Sequence, residues 1–180
     1  MNLLVISGSR NPHGQTATAA NALIEGAGGA SEQVFLTTID LQRCRQCDDN
    51  GWGICRTEGK CVIDDDFAAI VDKIVAADAV VFANPVYFGD LSESMKSFLD
   101  RLRRTCMHEA GKARIAGRKA IGICVAGGGG GGAPSCTVSL ERVLSICGFD
   151  VVDMVPVRRQ NLEMKCEVLK VVGKWLAEGE

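Results

Sequence analysis

No apolar run in this 180-residue chain approaches the roughly 18 residues that a membrane-spanning helix needs. Charge of one sign is missing as well. The 20 Lys and Arg stand against 22 Asp and Glu, a net charge of -2, which is too balanced for a protein that holds nucleic acid by neutralising phosphates. No export signal is recognisable: MNLLVISGSR enters an apolar segment at once, without a basic stretch ahead of it or a small-residue cleavage site behind it. The expected location is therefore the cytoplasm, with neither a membrane nor a nucleic acid as partner. Histidine is down to two residues, and His13, alone among polar neighbours, reads as a solvated loop residue.

Cysteine is the exception to this sparseness. Nine are present, an odd number in a chain with enough apolar residues for a core, and that argues against a disulfide scaffold. Cys44, Cys47, Cys55 and Cys61 lie close together in sequence, whereas Cys106, Cys124, Cys136, Cys147 and Cys166 are scattered singly and read as small core or surface residues. The 47% hydrophobic and 23% charged content is that of a globular protein. Residues 1–180 are expected to form a single domain, because two would be cramped at this length.

Continuous apolar or β-branched runs alternate with helix-period segments, the pattern of a parallel sheet covered on both faces. Strands are expected at 2–6, about 33–38, 79–83, 119–125 and about 151–155. Phe67, Ile70, Val71, Ile74 and Val75 make one helical stripe, and Leu91, Met95, Phe98, Leu99 and Leu102 another. Weaker stripes run through Ala20, Leu23, Ile24 and Ala27, through Leu140, Val143, Leu144 and Cys147, and through Val168, Val172, Trp175 and Leu176. Right-handed β-α crossovers of this number give an α/β doubly wound, five-stranded parallel sheet with helices on both faces. In such a sheet of order 2-1-3-4-5, the first and third strands flank the point where strand order reverses. Two segments exceed mere connections: 41–65, with the four cysteines, and the glycine run after the fourth strand.

Three loops leave the carboxyl ends of central strands. Ser7-Gly8-Ser9-Arg10 to Gly14-Gln15-Thr16 opens the first helix, where free backbone N–H groups, the hydroxyls of Ser9 and Thr16 and the charge of Arg10 suit a phosphate. A plain β-α turn with Thr16 starting the helix is the competing reading. The loop has no Gly-Lys-Thr/Ser ending, so it is not a nucleotide triphosphatase loop. Asn84-Pro85-Val86-Tyr87-Phe88-Gly89-Asp90 places two adjacent aromatics at the point where strand order reverses and ligands bind. Phe88 has the alternative of packing under the following helix. Gly127 to Gly132, including Gly128, Gly129 and Gly130, would let backbone approach a ligand closely or serve only as a flexible loop. The run satisfies a dinucleotide glycine pattern with Asp150 downstream, but six consecutive glycines satisfy almost any such pattern, and that fingerprint belongs after a first strand.

Together these loops resemble the NAD(P)H-dependent FMN reductase group of the flavodoxin-like superfamily, over nearly the whole chain. The resemblance implies the flavodoxin-like strand order 2-1-3-4-5 and FMN as cofactor, its phosphate held by Ser9 to Thr16, its ring lined by Pro85, Val86, Tyr87, Phe88 and Gly89 and edged by the glycine loop. Met95-Lys96-Ser97-Phe98-Leu99-Asp100-Arg101 matches the family's next helix. It further implies an oxidoreductase that takes electrons from NAD(P)H and passes them to a quinone, a flavin or another small-molecule or protein acceptor. A homodimer, or a dimer of dimers, would complete the space over the flavin. An electron-transfer protein of the flavodoxin kind is the alternative, although those are usually strongly acidic. Arg158 and Arg159 could attract a nicotinamide nucleotide phosphate or be solvated loop residues.

The cysteine segment has the spacing C-x2-C-x7-C-x5-C and is similar to the cysteine loop of the family's iron-sulfur flavoprotein branch, which typically has two residues between its second and third cysteines. Here Asp48 to Gly53 lengthens that interval. Cys44, Cys47, Cys55 and Cys61 could carry a [4Fe-4S] cluster or a structural zinc, or only stabilise a loop. Since the second strand is expected at the sheet edge, the chain from residue 40 must cross back over the top of the sheet, which would put this segment beside the flavin.

Overall fold

The computed structural model describes residues 1–179. Five parallel strands, β1 (Asn2–Ser7), β2 (Ala30–Phe35), β3 (Ala79–Pro85), β4 (Lys119–Ala126) and β5 (Asp150–Arg158), form one sheet in the order β2-β1-β3-β4-β5. Around it run α1 (Gln15–Ala27), α2 (Ile54–Thr57), α3 (Phe67–Ala76), α4 (Glu93–Thr105), α5 (Glu109–Ala113), α6 (Ala133–Cys147) and α7 (Leu162–Glu178).

Strand periodicity divides the core in two. Leu4, Ile6, Val80, Phe82, Ala120 and Cys124 face α3, α4 and α6 on one side. Leu3, Val5, Val81, Ala83, Ile123 and Val125 face α1 and α7 on the other. A central strand covered on both faces has no solvent-facing side along its middle, which is why β1, β3 and β4 read as apolar runs between polar ends. Cys106, Cys124, Cys136 and Cys147 are buried among these side chains and Cys166 is half-buried, none of them in a disulfide.

Two expectations need correction. The second strand lies at Ala30–Phe35, not at 33–38, and Leu36 to Thr38 form the turn that follows, closed by the Thr38 N–H on the Phe35 carbonyl at 3.0 Å. Its first four residues are exposed on the sheet edge and therefore carry no apolar signal. The short helices α2 and α5, of four and five residues, were not expected because such lengths cannot display a helical period.

Candidate active site

The loop after β1 is built by short polar side chains folding back on backbone. Ser7 Oγ accepts the Ser9 N–H at 3.2 Å, Ser9 Oγ accepts the Asn11 N–H at 3.2 Å, and Asn11 Oδ1 accepts the His13 N–H at 3.0 Å. This staircase delivers the chain to Gly14, the N-cap of α1, where no side chain caps the first turn. The leading N–H groups of a helix have no intrahelical partner, so the end at Gln15 and Thr16 is available to an anion. Neither Thr16 nor Ser9 caps the helix.

Behind this loop, α4 is capped by Ser92, whose Oγ accepts the Met95 N–H at 3.4 Å and donates to the Gly8 carbonyl at 3.2 Å. Asn84, fully buried at the end of β3, accepts both the Ser92 N–H and hydroxyl, at 3.1 and 2.9 Å. A Cβ at Gly8 would meet the Ser92 hydroxyl and lie 2.9 Å from Asn84 Oδ1, so only glycine fits where β1, β3 and α4 meet. Asn84, Ser92 and Gly8 were not among the expected site residues, and Asn11 was so only as part of the Ser9 to Thr16 span. Ser92 had a legible signal, a serine at the head of the Leu91 to Leu102 stripe, just after its first member, whereas the burial of Asn84 depends on strand pairing.

After β3 the chain makes a two-residue reversal. The Tyr87 N–H and Asp90 carbonyl, and the reverse pair, bond at 3.0 Å each, with φ of 50° at Phe88 and 81° at Gly89. Positive φ at both central positions is the type I′ turn. Its tip holds Phe88 wholly in solvent, not under the next helix. Gly89 meets Gly132 of the glycine loop: a Cβ on Gly132 would come within 2.5 Å of the Gly89 Cα, and Ser135 Oγ donates to the Gly89 carbonyl at 2.8 Å. In the glycine run, Gly130 N–H closes a turn on the Gly127 carbonyl at 2.8 Å, and Gln160 Nε2 anchors the Gly129 carbonyl at 3.1 Å.

These three loops surround a cavity of about 540 Å³ over the β1/β3 switch point, lined by Ser9, Asn11, Gly14, Gln15, Thr16, Pro85, Val86, Tyr87, Gly127, Gly128 and Gly131, with Val125 and Ala126 behind. Gly128 and Gly131 have nothing within 4 Å of where a Cβ would stand. Of the expected residues, Ser7, Arg10, Phe88, Gly89, Gly129 and Gly130 do not line it; Ser7, Gly89, Gly129 and Gly130 instead brace its loops. Arg10 lines an adjoining pocket of about 290 Å³ with Leu41, Tyr87 and Ser94. Tyr87 therefore stands between the two, and the start of the 41–65 segment, through Leu41, borders the adjoining pocket. The backbone N–H of Arg158 donates to Asn161 Oδ1 at 2.8 Å, so this residue starts a 3-10 turn at Arg159–Asn161.

The cysteine segment packs along the second half of α4. Cys44, Cys47, Cys55 and Cys61 all line one small cavity, with Arg45, Lys60, Arg101 and Arg104 among the other walls. The longer interval is ordered: Trp52 lies under the Arg104 guanidinium at 4.2 Å, and Arg104 donates to the Gly51 carbonyl. Among the described residues, no three Cys, His, Asp or Glu side chains are gathered closely enough to hold one metal ion.

Arg101 pins this segment. Fully buried, it donates through Nη1 to Asp65 Oδ2 at 2.6 Å and to the Gln42 carbonyl at 2.9 Å, and through Nη2 to Asp65 Oδ1 at 2.9 Å and Cys61 Sγ at 3.3 Å. Its guanidinium also lies 4.2 Å from the Phe67 ring centre. Burial alone would raise the Asp65 pKa, but the Arg101 hydrogen bonds and the N–H groups of Gln42 and Phe67 outweigh it and hold the carboxyl below its ordinary value. A group depressed in this way stabilises the fold above its unfolded pKa of about 3.9, and that contribution is lost as pH falls through the lower native value. Urea midpoints of the wild type are thus expected to drop below about pH 4, and Asp65→Asn should flatten part of that drop. An identical acid limb in both proteins would show that Asp65 is not its source.

The profile of the NADPH-dependent FMN reductase family matches residues 1–162. The chain belongs to this family. An iron-sulfur flavoprotein of Methanocaldococcus jannaschii is 34% identical over 132 residues, which are 71% of this chain and 65% of that protein, so the chain spans less than two thirds of that relative's length. An iron-sulfur flavoprotein of Methanosarcina thermophila is 31% identical over 158 residues, 84% of this chain and 77% of that one. An NAD(P)H:quinone oxidoreductase from Methanothermobacter marburgensis superposes with a TM-score of 0.68 at 22% identity, over 100% of this chain and 98% of its own, a likeness of fold. The family match covers the β1, β3 and β4 loops that surround the crevice, and the four cysteines lie along the second half of α4.

Proposed function

We propose that this chain is an FMN-dependent oxidoreductase that takes electrons from NADH or NADPH and passes them to a small-molecule or protein acceptor. The observation that carries the reading is the convergence of three backbone-rich loops on one cavity beside an uncapped helix start. The N-terminus of α1 with Ser9, Asn11 and Thr16 would hold the FMN phosphate. Pro85, Val86 and Tyr87 would line one side of the ring, and Gly127 and Gly128 would bring backbone N–H groups to its polar edge. When bound, the flavin supplies hydride and electron transfer, chemistry that no side chain here performs. The protein's part is to position the ring and to leave room over it for donor and acceptor in turn.

The four cysteines fit an iron-sulfur cluster by their chemistry. Four thiols line one cavity, cationic side chains around it would offset the charge of thiolates, and among the described residues the buried side-chain nitrogen or oxygen atom left without a hydrogen bond is Arg101 Nε, on that same wall. The space between the thiols is now about 20 Å³, roughly that of one water. A cluster would therefore have to spread the segment that carries Cys44 and Cys47, which has no regular structure. The names of the Methanocaldococcus and Methanosarcina relatives support this reading.

The crevice assignment predicts a graded mutational result. Ser9→Ala should weaken FMN binding by about 1 kcal/mol, roughly fivefold, by removing a hydroxyl from the phosphate loop. Tyr87→Ala should weaken it further through lost contact area. Fluorescence titration of the apoprotein with FMN measures both, and wild-type affinity in the two variants would move the flavin elsewhere.

A further inference from the structure

We propose that Arg101 is a positioning residue of the cysteine site, orienting Cys61 and setting how readily that site takes up an electron; this rests on the reading of the four cysteines as cluster ligands. A guanidinium has five N–H donors. Four are committed: two to the Asp65 carboxylate, one to the Gln42 carbonyl and one to Cys61 Sγ at 3.3 Å. The fifth, on Nε, is buried without a partner. A buried donor left unsatisfied is costly and uncommon, and this one belongs to a side chain that lines the cavity ringed by the four thiols.

The rest of the arrangement fixes the guanidinium in place. Asp65 holds it in a bidentate fork, and the carboxylate is itself anchored by the N–H groups of Gln42 and Phe67, at 2.8 and 3.2 Å. The Phe67 ring lies against its face. The same side chain thus joins both ends of the cysteine segment, at Gln42 and at Cys61 and Asp65, to α4. Held rigidly, a donor on a ligand sulfur draws charge from it. One added electron deepens the negative charge beside that donor, so the reduced state gains more than the oxidised one and the reduction potential rises. A lysine cannot reproduce this fork, because its single ammonium cannot meet the carboxylate bidentately and reach the sulfur and a carbonyl as well.

The experiment is an anaerobic, dye-mediated reductive titration of the purified full-length holoprotein, with iron quantitation, comparing wild type, Arg101→Lys and the double variant Arg101→Met/Asp65→Asn. The double variant removes both charges together and so avoids leaving one buried alone. The flavin in the same sample is the internal reference. Expected is a cluster that reduces less readily in both variants, by at least about tenfold in the equilibrium, or about 59 mV for one electron, with the flavin potential unchanged. Loss of iron from a variant that still folds and binds FMN also supports the proposal, as misplacement of Cys61. A purely structural ion pair would alter stability and leave both potentials where they were, and that result overturns it. Wild-type protein that carries flavin but no iron, even after anaerobic reconstitution with iron and sulfide, overturns the cluster reading and this proposal together. A wild-type cluster with unaltered variants overturns the proposal alone.

Discussion

Replacing Asp65 with alanine is expected to cost about 3–5 kcal/mol of folding stability. The Asp65 carboxylate and the Arg101 side chain are both buried, at 0% and 1% exposure. The pair's net benefit over an apolar pair is small, since both ions were taken out of water to make it. Removing only the carboxylate is different. It leaves a guanidinium that cannot be deprotonated stranded against Phe67 and Cys61, and it frees the N–H groups of Gln42 and Phe67. Total stabilities of about 5–15 kcal/mol make such a loss plain in urea unfolding followed by circular dichroism. A change under about 1 kcal/mol would show that Arg101 reaches solvent when unpaired and that the segment is held by other contacts.

A second large effect is expected at Gly173, where a change that favours isolated helices should weaken this one. Alanine stabilises a helix interior over glycine by about 1 kcal/mol. Here, however, the Cβ would fall on the Leu23 carbonyl oxygen of α1 and lie 2.8 Å from the Ala27 nitrogen. Gly26 stands in the reciprocal position, its Cβ site on the Lys170 carbonyl of α7. The two glycines let the helix backbones touch, and no flexible side chain is available to move aside. Separating the helices uncovers Leu23, Leu169 and Leu176, so Gly173→Ala is expected to lose about 2–3 kcal/mol despite its better propensity. Thermal unfolding of the variant decides the matter, and a raised midpoint would mean that the helices can separate without cost.

How much of this was legible in the sequence follows from which residues are buried on both sides. β1, β3 and β4, covered on two faces, announce themselves as apolar runs, and with the helical stripes between them they yield a doubly wound parallel sheet; its order, 2-1-3-4-5, was implied by the family resemblance. The edge strand β2 was misplaced because Ala30 to Gln33 are exposed. The three loops could be located at the switch point, since their place follows from strand order. Their internal geometry could not. That Phe88 sits on a type I′ tip, or that Gly129 turns its carbonyl to Gln160 while Gly128 borders the cavity, depends on single backbone dihedrals. Arg101 was legible as part of a helix motif, but its burial against Asp65 joins residues 36 apart in sequence, a pairing no local pattern contains.

FMN in the switch-point crevice and a redox centre in the cysteine segment are the two parts of the proposed function. The most direct measurement is the visible spectrum of anaerobically purified protein, with the flavin released by denaturation identified and with iron and acid-labile sulfide quantified on the same sample. One FMN per chain is expected, with flavin absorbance over a broad iron-sulfur background and iron and sulfide in equal amounts. Release of FAD, or no flavin after titration with FMN, would contradict the crevice assignment; FMN without iron or sulfide would contradict the redox role of Cys44, Cys47, Cys55 and Cys61.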